Sequence, residues 1–191
     1  MPTSASLDWV AQQRRAFGAL VGRTVVGYSA TEMAFVEEGP DGVPVFGGAD
    51  APFRQLDWLR LHLSGGDSVV VQTYQADYSF GLCKAEREAA TGPRFRAEFE
   101  SGSIFRAADL TSLPSGEVER VEVELDGEGE VSVVSLAVAG SVLELVAGEV
   151  HERRSGPPAV HFGDESVLVF TDRDARRSLM GEGLVVSLGR W

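Results

Sequence analysis

The chain holds three histidines, His62, His151 and His161, and two of them fall in a short segment dense in carboxylates. Glu149, His151 and Glu152 come first, then His161, Asp164 and Glu165. Imidazole and carboxylate together suit zinc, manganese or iron, and an ion with an open coordination position activates water. On an extended chain Glu149 and His151 fall on the same side, which permits joint ligation. No His-Glu-x-x-His pattern or other recognised ligand spacing is present. His151, His161, Glu149 and Asp164 are therefore candidate ligands for a metal-dependent hydrolase. The plain alternative is solvated residues at a strand end and in the loop after it.

A second group with chemical content is acidic. Arg120, Glu122, Glu124 and Asp126 alternate with Val121, Val123 and Leu125, and the charge continues into Glu128 and Glu130. One side of such a strand is dry and the other strongly acidic. Glu122, Glu124, Asp126, Glu128 and Glu130 form a candidate docking face for a partner rich in Arg or Lys. A charged outer face also arises simply to block edge-to-edge pairing. Glycosidase chemistry would need two of these acids at a set separation across a cleft.

Other chemistries find no support in the residues. No Gly-x-Gly-x-x-Gly enters a helix, there is no Walker pattern, and Lys84, the only lysine, lies in no glycine-rich loop. Gly-x-Ser-x-Gly is absent as well. No cofactor is expected. Cys83, the single cysteine, makes no internal disulfide and excludes an all-cysteine zinc site. It reads as a small buried thiol. Trp9, Trp58 and Trp191 with Tyr28, Tyr74 and Tyr78 serve as core fillers or as anchors of a ligand cavity.

The 191 residues carry a formal net charge of -12 and are 43% hydrophobic, an ordinary globular composition. Negative charge repels phosphate backbones and anionic lipid, so neither nucleic acid nor a membrane surface is an expected partner. Asp8, Gln12, Gln13, Arg14 and Arg15 interrupt the apolar N-terminal residues, which argues against a signal peptide. No apolar run approaches bilayer length, and the expected compartment is the cytoplasm.

The elements that must position these groups are mostly strands. Residues 6–21 have helical spacing, with Ser6 as cap and Gly22 as stop. Thr24–Tyr28 and Met33–Val36 read as strands, and Pro44 marks an edge segment. Gln55–Tyr74 is a hairpin around Ser64-Gly65-Gly66-Asp67. Tyr78–Leu82 and Phe95–Phe99 alternate as strands, Phe105–Leu110 reads as a short helix, and residues 111–116 are a candidate boundary between two halves of one domain. Glu117–Arg153 is an antiparallel meander. Val160–Phe162 and Ser166–Thr171 follow as strands, Asp172 caps a helix over Arg173–Met180, and Leu184–Leu188 is a last strand.

The expected fold is mainly β: a single domain, 1–191, forming an antiparallel sandwich or partly open barrel with an N-terminal helix and a short C-terminal helix. The leading functional expectation is a non-enzymatic acidic binding protein, most concretely an immunity-type inhibitor that neutralises a basic toxin or nuclease. A β domain that binds a small molecule is the alternative. A metal-dependent hydrolase using His151 and His161 is the third.

Overall fold

The computed structural model describes residues 4–39, 41–47, 51–75, 80–85, 102–151 and 159–181. Helix α1 (Ser4–Gly18) is followed by strands β1 (Thr24–Met33), β2 (Arg54–Leu63), β3 (Ser68–Gln75), β4 (Phe80–Lys84), β5 (Phe105–Asp109), β6 (Gly116–Leu125), β7 (Val131–Val138), β8 (Ser141–His151) and β9 (Ala159–Phe170). Helix α2 (Arg173–Gly181) closes the described chain. The expected strands Phe95–Phe99 and Leu184–Leu188, and the residues Tyr78, Glu152 and Trp191, lie outside the described residues.

All nine strands belong to one sheet, in the order β4-β3-β2-β9-β8-β7-β6-β1-β5. All the ladders are antiparallel, and β1 also pairs with β2. The pairing path therefore runs round from β1 through β2, β9, β8, β7 and β6 and back to β1. Its closure is narrow: β6 meets β1 only at Glu117↔Thr24 and Gly116↔Val25, and β2 meets β9 only over Arg54–Leu56. This is a mainly β, antiparallel sheet curled into a partly open barrel, one of the two forms that the spacing of turns and alternation allows. Strands from both sides of residues 111–116 interleave in it.

Helix α1 docks on this sheet. It packs against β4, β6 and β7, and the Lys84 amide on the free edge of β4 donates to Gln13 Oε1 at 3.0 Å. Val10 and Phe17 belong to the same buried core as Leu59, Leu61, Leu136 and Leu145. Burying one such side chain stabilises by about 1.5–3 kcal/mol. The helix starts earlier and ends earlier than 6–21. Gly18 ends it, because glycine is a poor helix former, and Leu20 and Val21 continue as turns to Gly22 at φ 79°.

Phe105–Leu110 is a second correction, since it forms strand β5 along β1 rather than a helix. Five residues are too few to reveal a period, and the pairing partner decides. The expected meander is present as β6, β7 and β8, as far as His151, the last residue described there. Its β7–β8 hairpin turns on Ala139 and Gly140, both at positive φ, as a two-residue turn of the favoured hand requires. The single dry face is corrected: β7, β8 and β9 are covered on both sides. Val134, Leu136, Leu143, Leu145 and Val169 face the barrel interior. Val133, Val146, Leu168 and Phe170 face outward under Ala175 and Leu179 of α2.

Asp172 caps α2, accepting from the Asp174 amide at 2.8 Å. The helix lies over a row in which Glu122, Ser135, Glu144 and Phe170 stand opposite one another across four strands. Glu144 is buried there and meets Arg176 Nε at 2.7 Å, Arg173 Nε at 3.2 Å and the Ser135 hydroxyl at 3.0 Å.

Candidate metal centre

Strand β8 carries alternate residues inward. Leu143, Leu145 and Ala147 belong to the interior core, and the same alternation puts Glu149 and His151 on that side, beyond the hydrocarbon. His161 of β9 stands directly opposite Glu149, and Ala159 opposite His151. The sheet thus brings two histidines and a glutamate onto one face at one end of the barrel.

Asp164 joins them through an irregularity. Ala147 pairs with Val167, but the next residue, Gly148, pairs with Phe162. Residues 163–166 are left over on β9 and fold out as a wide bulge, with Gly163 at φ 73°. Gly148 permits this. A Cβ there would meet His161 O at 2.7 Å and Leu168 Cδ1 at 3.1 Å, so only glycine lets β9 approach so closely. Several bonds then fix the bulge. Thr73 Oγ1 donates to the Glu165 carbonyl, and Asp164 Oδ1 accepts from the Glu165 amide at 2.9 Å. Gln55 holds β8 from behind. Its Oε1 accepts from the Val150 amide at 2.7 Å, and its Nε2 donates to the Ala34 carbonyl at 3.1 Å.

The result is a compact group. His151 Nε2 lies 2.8 Å from Asp164 Oδ2, and the two imidazole rings are 4.4 Å apart between centroids. One ligand atom each from His151, His161 and Asp164 lies within 4.8 Å of the other two. Bonds of about 2.0–2.1 Å to an ion place ligand atoms no more than about 4 Å apart, a separation of the same order. The His151 side chain is 44% exposed.

Glu149 sits beside the trio, 8% exposed. Ser166 Oγ lies 3.2 Å from both Glu149 Oε2 and Met33 Sδ, and gives its one proton to the carboxylate. Burial, with Asp164 and then Glu165 adding negative charge, pushes the Glu149 carboxyl from 4.5 up to about 7, against the lowering by His151 and Ser166. Glu149, Asp164 and Glu165 thus gather around imidazole, an arrangement suited to a cation.

The structure thus brings together the four weakly spaced candidates His151, His161, Glu149 and Asp164. It treats the acidic strand differently. Glu122 pairs with Arg173 at 3.1 Å and with Arg120 at 3.2 Å, and Glu124 meets Arg176 at 3.6 Å. Asp126 Oδ1 accepts from the Glu128 and Glu130 amides, both at 2.9 Å, and so holds the β6–β7 turn. Glu130 is buried, bonded to the Tyr74 hydroxyl, which removes it from the surface on which the alternation places it. Among the aromatic candidates, Tyr28 is buried and bonds Pro114 O, Trp58 is buried, and Trp9 stacks edge-on against Tyr74.

Ser166 and Met33 escape detection by sequence, because the bulge that delivers them changes the register. The readable signal was Gly148, an isolated glycine within a strand pattern, which marks a bulge or a close backbone approach. Among the described residues no helix is long and apolar enough to cross a membrane. Comparison of the chain with protein-family models, with curated proteins and with solved structures gave no match.

Proposed function

We propose that this protein holds a divalent transition-metal ion on His151, His161 and Asp164. The observation that carries this reading is the convergence of those three ligand atoms within 4.8 Å, from two strands and a bulge. Two imidazoles and a carboxylate suit zinc, manganese or iron. Three protein ligands leave coordination positions for water, and a metal-bound water is a nucleophile near neutral pH. Metal-dependent hydrolysis is the reaction class that follows. Gln55 and the Gly148 approach hold the ligand strands in place, as a site of this kind needs.

The test is metal analysis of untagged protein purified without chelator, together with thermal unfolding in added zinc, manganese and ferrous ion. About one equivalent of bound metal is expected. Free metal at a hundredfold over Kd should add about 2.7 kcal/mol of stability. The His151→Ala/His161→Ala double variant should lose both. Less than a tenth of an equivalent, with no thermal shift by any of the three ions, overturns the proposal.

A second reading is docking of a basic protein, of the immunity-inhibitor kind. It draws support from the net charge of -12 and from the exposed position of Glu122 and Glu124 on β6. A complex with a basic partner that separates in high salt on a sizing column supports it. A complex indifferent to salt counts against it.

A further inference from the structure

Between α1 and β6 runs a groove of about 410 Å³, lined by Ala11, Arg14, Arg15, Gly18, Val121 and Val123. That volume lies in the range of small-ligand sites, about 300–1,000 Å³. Its floor is apolar because Val121 and Val123 pack against the interior core yet stay partly exposed. Its rim is cationic. Arg15 donates from Nε to its own helix at Ala11 O, 3.2 Å away, and among the described residues neither arginine has a carboxylate partner. The acids of β6, Glu122 and Glu124, point to the opposite face of the strand, toward α2. Charge is thus divided across one strand: acids outside, two arginines over the valines inside.

We infer that this groove binds a small, free anionic amphiphile, a carboxylate with a short apolar tail, with the tail on Val121 and Val123 and the head between Arg14 and Arg15. Guanidinium groups match a carboxylate by geometry as well as by charge. Gly18 leaves the end of the groove open: a Cβ there would meet nothing within 4 Å.

The molecule's own charge makes a sharp control. At -12 overall, unspecific attraction favours a cationic amphiphile; only the local rim favours an anion. Calorimetric titration of the full chain with decanoate and with decyltrimethylammonium, below their micelle concentrations, compares equal tails with opposite heads. Saturable one-to-one binding of decanoate, at least tenfold tighter than the cation, is expected. Arg14→Gln/Arg15→Gln should remove that preference, and Arg14→Lys/Arg15→Lys should restore part of it. Gly18→Leu, which fills the groove and favours the helix, should weaken decanoate binding at least tenfold with an unchanged circular dichroism spectrum. Tighter binding of the cation, or unaltered binding in Gly18→Leu, overturns the inference. So does binding to vesicles of anionic lipid without binding of free decanoate, which would make α1 a membrane contact instead.

Discussion

Strand β8 carries two buried acids five positions apart, and their surroundings are opposite. Glu144 faces outward and is met by Arg176, Arg173 and the Ser135 hydroxyl. Glu149 faces inward and is met by Ser166, with Asp164 and Glu165 close by and His151 as the neutralising neighbour. The first acid is saturated by cations of its own chain and fastens a helix. The second sits among groups of its own sign and imidazoles, an arrangement that a cation from outside would complete. Burial of charge is common to both; what separates structure from site is whether the chain supplies the counter-charge.

The largest test of that contrast is Arg176→Ala. It leaves Glu144 buried with Arg173 as its remaining cation, and a loss of about 3–5 kcal/mol is expected from urea unfolding. A loss under about 1 kcal/mol would show that the outer cluster is not what fastens α2.

A smaller effect separates Glu149 by pH. Its folded carboxyl titrates near 7 against an ordinary 4.5, so between those values the folded state holds more protons than the unfolded. The protonated group's contribution is then fully present below about pH 4.5 and is lost as pH rises through 7. For metal-free protein, the stability of the native chain relative to Glu149→Gln should fall by up to roughly 3 kcal/mol across that window. The groups around Glu149 are Asp164, Glu165, His151 and Ser166, with His161 opposite it on β9. Parallel pH profiles for the two proteins would mean that Glu149 is not held among like charges.

The smallest change expected in stability is at Gly148. Gly148→Ala drives a methyl group toward His161 O, and a cost of about 1–3 kcal/mol follows from strain of that kind. Metal binding should suffer more than stability, because the ligands sit on the displaced strand. Unchanged metal affinity in a destabilised Gly148→Ala would detach the bulge from the site.

Much of the fold is legible in local order. The Leu59–Leu63 alternation, the Ser64–Asp67 turn, the three strands of the meander and the Asp172 cap are each determined within a few residues, because side-chain period and turn chemistry are local properties. The segments that misled are those whose neighbours decide. Phe105–Asp109 is a strand because β1 offers it an edge, and Glu130 is buried because Tyr74, on another strand, lies over it. The candidate site was legible as a composition, histidines and acids close in sequence, but not as a geometry. Its spacing follows no known ligand pattern because the bulge, not the sequence interval, brings Asp164 to His151.

By itself, then, the sequence determined the strand periodicity, the mainly β class, the net negative charge and the identity of the candidate metal ligands. Tertiary structure alone decided which acids are neutralised. Arg173 and Arg176 reach Glu122, Glu124 and Glu144 across intervals of some 30 to 50 residues, and no local pattern encodes a partner that distant. Glu149, on the same strand with the opposite facing, was left beside two histidines because parity points it inward, to the end of the barrel where β9 bulges over it.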